Sequence, residues 1–155
     1  IEVMGRKAGY IALNVGLSTG AEVILIPEIK HDFDKDVIKR LLECRNAGKH
    51  HYIVVVAEGA GSAIEIAENI ESMTGIEARP TILGHLQRGG SPTVRDRMMA
   101  SRMGVEAVEC IRNGVFNRVI VQKHGEIQSL EINEALSMTK TISLEDFEAA
   151  KIVAM

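Results

Sequence analysis

Short β-branched runs alternate with helical patterns along most of this chain, and that alternation restricts its fold more than any other feature. The runs are Ile1 to Met4, Glu22 to Ile26, Tyr52 to Ala57, Pro80 to Leu83 and Arg118 to Gln122. Between them, apolar residues recur at three-four spacing. The stripes are Ile11, Val15 and Ser18, then Phe33, Val37, Leu41, Leu42 and Cys44, then Ile64, Ala67, Ile70 and Met73, and lastly Val94, Met98, Ser101, Val105 and Val108. This order predicts βαβ units in an α/β fold of three α-β-α layers, with a mostly parallel sheet and helices on both faces. After residue 122 the pattern changes. His124-Gly125 reads as a turn and Glu126 to Leu130 as a return strand, which makes a late hairpin. Ile132 to Met138 and Ser143 to Val153 read as terminal helices, the last within residues 140–155, with Ser143-x-x-Asp146 as its cap.

A chain of 155 residues that is 46% hydrophobic can close one core, so a single domain is expected. Its net charge of −3, with scattered basic residues and no Trp, argues against nucleic acid or a membrane surface as partner. No apolar run reaches bilayer length and no signal peptide is visible, which points to the cytoplasm. Cys44 and Cys110 have no CxxC partner and read as buried free thiols. The chain opens at Ile1 inside a strand-like run, without an initiator Met, and so reads as a piece of something longer.

In a mostly parallel sheet, ligands gather beyond the carboxyl ends of the strands. Arg6 follows the first run, Glu58 to Ser62 the third, and a turn carrying His85, Gln87, Arg88, Gly89 and Gly90 the fourth. Ser91 and Pro92 suit the N-cap and first position of a helix, which sets that turn at the positive end of a helix dipole. Gly-Gly-Ser-Pro alone is an ordinary turn, and Lys49-His50-His51 is a polar loop without metal-ligand spacing. What decides is convergence. Arg6, Glu58 and the His85 to Arg88 turn share one rim although they lie far apart in sequence, and cations with one carboxylate suit a phosphorylated polyol.

Three segments together resemble the C-terminal half of bacterial ATP-dependent 6-phosphofructokinases. They are Glu2-Val3-Met4-Gly5-Arg6, Val56-Ala57-Glu58-Gly59, and Leu83 to Pro92 (LGHLQRGGSP), the last backed by Asp96-Arg97 and Ala100-Ser101-Arg102. Their order and gaps match across essentially the whole chain. The resemblance implies the family's Rossmann-like C-terminal domain. It implies that Met4 and Gly5 line fructose 6-phosphate, that Glu58 binds its hydroxyls, and that His85 and Arg88 take its 6-phosphate. Arg79 would reach that phosphate from a neighbouring subunit of a homotetramer, and Arg6 would act catalytically by stabilising charge on the transferring group. Gly20, Glu22 and Lys49 would form an effector site for ADP or a phosphoenolpyruvate-type anion, with Glu22 acting through a magnesium ion.

The resemblance also implies what this sequence does not match. The family's catalytic Asp and its glycine-rich loop for ATP and Mg2+ belong to the other half. The chain alone is therefore expected to be inactive, as the substrate- and effector-binding half of an enzyme that phosphorylates fructose 6-phosphate in glycolysis. His85 favours the ATP-using branch over the pyrophosphate-using one. Ala47 stands where the family often carries a basic residue, and Val121 where a Gly is common. Two other functions compete with this one: a stand-alone sugar-phosphate-binding regulatory module without catalysis, and a folding domain that retains no binding.

Overall fold

The computed structural model describes residues 1–139 and 141–154, so Lys140 and Met155 of the expected 140–155 segment lie outside the described residues. Nine residues, all but Glu2 apolar, build its central sheet. Strands β1 (Glu2–Val3), β2 (Val23–Leu25) and β3 (Val54–Ala57) pair in parallel in the order β1-β3-β2. Val3 lies opposite Ala57, and Leu25 opposite Val56. Successive strand residues point to opposite faces, and both faces are apolar. Ile24, Ile26, Val55 and Ala57 pack with α1 (Tyr10–Thr19) and α6 (Leu144–Val153) through Leu13, Phe147 and Ala150. Val23, Leu25 and Val56 pack on the other face with Val37, Ile38, Leu41 and Ile70. Those four come from a π-helical run, Phe33–Lys39, from α2 (Arg40–Asn46) and from α3 (Ala63–Thr74). The three expected layers are present.

The chain divides into two compact units, residues 1–88 with 142–155, and residues 89–141, where its length alone suggested one. The second unit holds α4 (Val94–Arg112), the antiparallel hairpin β4 (Arg118–Lys123) and β5 (Glu126–Glu131), and α5 (Ile132–Ser137). The hairpin turn places His124 and Gly125 at positive φ, as a tight two-residue connection requires. Both cysteines are free and buried. No helix among the described residues is long and apolar enough to cross a membrane.

Several expected faces are corrected. In α1 the buried residues are Ala12, Leu13 and Gly16, while Ile11 and Val15 are exposed. A Cβ on Gly16 would collide with the Ile24 side chain, so the helix seats closely on β2 at Gly16. In α3 Ala63, Ala67 and Ile70 are buried, with Ile64 and Met73 outside. Pro80 to Leu83 forms only a parallel bridge between Ile82 and Glu2, and Ile82 is 54% exposed, so this is an open edge and not a buried strand.

Helix α4 also differs. It starts at a Thr93 cap, two residues beyond the expected Ser91, with Pro92 outside it. Val94, Met98, Val105 and Val108 are exposed; Met99, Met103, Ala107 and Cys110 form the covered stripe. The Thr93 hydroxyl accepts from the Asp96 N–H at 3.3 Å, and the Asp96 carboxylate accepts from the Thr93 N–H at 2.8 Å. The helix start thus carries its own carboxylate, which answers the dipole the sequence reading had assigned to a ligand. The Thr93 backbone bond, followed by the hydroxyl bond, holds the Asp96 carboxyl below its ordinary value of 3.8. A depressed folded value means that the cap's contribution is complete above the ordinary value and is lost as pH falls through the lower one. The Thr93 amide resonance is therefore expected to titrate with a midpoint below 3.8 in wild type and to be flat in Asp96→Asn. A wild-type midpoint at or above 3.8 would contradict this cap.

Candidate functional site

The carboxyl ends of β1 and β3 lie side by side, and glycine lets the two turns that follow them touch. The Glu58 N–H donates to the Val3 carbonyl at 2.9 Å, and the Gly59 N–H to the Gly5 carbonyl at 3.2 Å. A Cβ on Gly59 would overlap the Arg6 carbonyl oxygen, and Gly5 has φ +152°. The close contact fixes the Glu58 side chain, whose Oε1 accepts the Gly5 N–H at 3.3 Å. Ser62 at the N-cap of α3 makes no side-chain capping bond; the Glu2 carboxylate of β1 accepts the Ala63 N–H instead, at 3.0 Å.

The third part of the rim is a 3₁₀ turn, Gly84–Arg88. Gln87 ties it down. Its Oε1 accepts the Met4 N–H at 2.8 Å, while its Nε2 donates to the Gly84 carbonyl at 2.7 Å. Residues three apart in a 3₁₀ turn eclipse each other, so His85 and Arg88 share one side while Gln87 points to β1. Met4, Gly5, Glu58 and the His85–Arg88 turn are thus joined by direct hydrogen bonds. The side chains of Arg6, His85 and Arg88 are exposed and make no hydrogen bond or ion pair among the described residues. Gln87, named in the turn by sequence but given no role there, is the side chain that ties it to β1. It was visible only as a polar letter in the turn, since nothing in sequence shows which side chain faces inward.

Arg79 is not part of this rim. It precedes the 81–83 segment that runs parallel to β1, whereas His85 follows it, so roughly 20 Å of extended chain separates them. Its guanidinium pairs with Glu77 at 2.7 Å, and that hydrogen bond raises its pKa. Any part it plays at a His85–Arg88 phosphate requires a second copy of the chain.

Gly20, Glu22 and Lys49 form a second cluster. Gly20 caps α1 in the left-handed conformation, φ +65°, and so carries the chain toward Glu22 at the foot of β2. The Glu22 carboxylate is 7% exposed; it accepts the Ile53 N–H at 2.6 Å through Oε2 and the Lys49 ammonium at 3.1 Å through Oε1. These residues do not fit the magnesium ion expected at Glu22. Both oxygens are engaged, an ammonium occupies the side a cation would need, and no group of three acidic, His or Cys side chains among the described residues could hold a metal.

The fold and rim define a class: a parallel α/β unit with free cations and one oriented carboxylate at the carboxyl edge of its sheet. Comparison with known proteins agrees and goes further. Residues 1–111 match the phosphofructokinase family. The chain is 49% identical over 154 residues to an ATP-dependent 6-phosphofructokinase of Clostridium acetobutylicum, covering 99% of this chain and 48% of that protein. It is 47% identical over 155 residues to the enzyme of the same name from Alkaliphilus metalliredigens, covering all of this chain and 48% of that protein. Among solved structures, it superposes on phosphofructokinase from Saccharomyces cerevisiae with a TM-score of 0.79 at 30% identity, over 99% of this chain and 22% of that one. The T-state phosphofructokinase of Pichia pastoris gives 0.77 at 30% identity, over 98% and 18%. The chain belongs to the phosphofructokinase family, and it spans about half the length of the curated relatives it matches.

Proposed function

We propose that this chain is the substrate- and effector-binding half of a 6-phosphofructokinase, and that it takes fructose 6-phosphate at the rim of β1 and β3. The observation that carries this is the set of unpaired Arg6, His85 and Arg88 around a Glu58 carboxylate that the Gly5 N–H orients. Arg88 and His85 bind the 6-phosphate, the free oxygen of Glu58 accepts sugar hydroxyls, and the Met4-Gly5 backbone lines the ring. In the full reaction the γ-phosphoryl group of ATP passes to the sugar's 1-hydroxyl, whose proton must go to a base. Arg6 stabilises charge on the transferring group. The base, ATP and its Mg2+ belong with the partner half that longer relatives contain, so this chain alone binds without catalysing. Arg79 reaches the 6-phosphate of a neighbouring subunit in a homotetramer. Gly20 and Lys49 receive a phosphate-bearing effector, ADP or a phosphoenolpyruvate-type anion, without a metal at Glu22.

A second reading, a sugar-phosphate-binding regulatory module without catalysis, uses the same rim. Calorimetry on the chain tests what both share. Fructose 6-phosphate is expected to bind with a dissociation constant of about 1 mM, because Arg79 of a second copy and the opposite wall are missing. Fructose itself should not bind, and His85→Ala should weaken binding about tenfold. Equal binding of fructose, or indifference to His85→Ala, would remove both readings. Phosphoryl transfer separates them, since only the first regains activity when the partner half is supplied.

A further inference from the structure

The compact unit of residues 89–141 has almost no core of its own. Cys110 is the one buried residue among its described residues, and no residue of the hairpin of β4 and β5 is buried. A two-stranded hairpin with a helix against it is marginal in water until further apolar surface is covered. Helix α4 shows where that surface lies. Met99, Met103, Ala107 and Cys110 form its covered stripe. At about 100° per residue, Val94, Met98, Val105 and Val108 fall on the opposite side, and each is more than half exposed. Only Ser101, which is small, interrupts their row, and the row runs about 21 Å along the helix. A helix that is apolar on two opposite sides belongs between two layers, and among the described residues one side alone is covered.

We propose that this row on α4 is the docking surface for the other half of the longer relatives, and that residues 89–141 complete their core against that half. The inference rests on the reading that a partner half completes the enzyme, and it adds where the partner is held. The chain covers 48% of the Clostridium acetobutylicum protein, which leaves a polypeptide about as long as this one that must pack on something. Residues 1–88 with 142–155 offer it little, because both faces of their parallel sheet are already covered. Their exposed large apolar residues on helices come in pairs, Ile11 with Val15 on α1 and Ile64 with Met73 on α3. The family match ends at residue 111, so it takes in the whole row on α4. Charge disfavours a second copy as the occupant. Four arginines, Arg95, Arg97, Arg102 and Arg112, stand around the row against Glu106 and Glu109, so two such faces repel while an apolar patch rimmed by carboxylates is attracted.

The test compares the chain with the chimera in which it replaces the matching half of the Clostridium acetobutylicum enzyme. In the chain alone, the Val105 amide of α4 should exchange at least about 100-fold faster than Val55 in the sheet. In the chimera it should slow by at least about tenfold, with Val55 little changed. Val105→Asp should leave the unfolding of the chain as it is and lower the urea midpoint of the chimera by about 1 M or more. Val105→Leu should alter neither. If the Val105→Asp chimera does not fold, the exchange rates of the unsubstituted chimera decide. Equal α4 exchange in chain and chimera, or an equal effect of Val105→Asp in both, overturns the docking. A chain that sediments as a dimer with α4 protected overturns it too, since a second copy is then the occupant. Calorimetry with fructose 6-phosphate on the same chimera separates the two readings. Binding with α4 unprotected sinks the docking alone; α4 protection without binding sinks the sugar-phosphate rim and supports the docking.

Discussion

Arg88→Ala is expected to raise the KM for fructose 6-phosphate about 100-fold when this chain replaces the matching half of the Clostridium acetobutylicum enzyme. The magnitude follows from the lost contacts. A guanidinium can give a phosphate two charge-assisted hydrogen bonds, each worth about 1.5 kcal/mol or more, and about 1.4 kcal/mol is a factor of ten. No ion pair among the described residues involves Arg88, so its removal leaves no orphaned carboxylate to complicate the result. The 6-phosphate does not react, and its binding is felt equally in ground and transition states, so kcat should change by no more than a few-fold. Arg88→Lys should recover only part of the loss, because an ammonium is a point charge without the planar fork. Arg6→Ala should show the opposite split, with kcat reduced and KM little altered, as befits a cation beside the transferring group. Steady-state kinetics on the three chimeric variants decide this. An unchanged KM in Arg88→Ala would remove the proposed phosphate contact.

How much of this was legible in the sequence depends on which physical cue each element used. The sheet was readable because Val23 to Ile26 and Tyr52 to Ala57 are continuously apolar, as a strand covered on both faces is; both faces are indeed packed. The hairpin announced itself through His124-Gly125, and the cap of the last helix through Ser143, whose hydroxyl accepts the N–H three residues on. Helix faces were read less well. In α1 periodicity drew attention to Ile11 and Val15, but the buried side is Ala12, Leu13 and Gly16, because close seating on Ile24 excludes bulk there. Helix α4 carries apolar residues on two sides, and periodicity cannot choose between them.

The candidate sites divide in the same way. Arg6, Glu58, His85 and Arg88 were placed on one rim by topology alone, since parallel strands deliver their following turns to the same edge. The bonds that hold the rim together are long-range and were not legible: Gln87 to Met4 spans 83 residues. Nor was the occupancy of the second cluster. Lys49 and Glu22 could be chosen by resemblance, but their contact with each other and with Ala154, 105 residues beyond Lys49, appears only in three dimensions. That contact is what leaves no room for the metal beside Glu22.

Gly59→Ala should be among the most damaging single substitutions in the chain, and it tests the scaffold independently of any ligand. The added methyl would overlap the Arg6 carbonyl oxygen and lie 2.6 Å from the Arg6 carbonyl carbon and 2.9 Å from the Gly5 oxygen. These are backbone atoms and cannot swing aside. The turn after β1 must shift, which strains packing by about 1–3 kcal/mol. It also breaks the Gly59 to Gly5 and Gly5 to Glu58 hydrogen bonds, at about 1 kcal/mol each. A total of about 3–5 kcal/mol, at its lower end, would lower the urea midpoint by about 1.5–2 M for a slope of about 1.5–2 kcal/mol/M. Two substitutions calibrate the effect. A Cβ on Gly61 meets only the end of the Ile66 side chain, at 3.2 Å, so Gly61→Ala should move the midpoint little. Gly104 lies inside α4 with nothing within 4 Å of an added Cβ, so Gly104→Ala should stabilise by about 0.5–1 kcal/mol through helix propensity. If Gly59→Ala unfolds at the same urea concentration as Gly61→Ala, the two turns do not touch as described. Arg6 and Glu58 then lose the common support on which the proposed site depends.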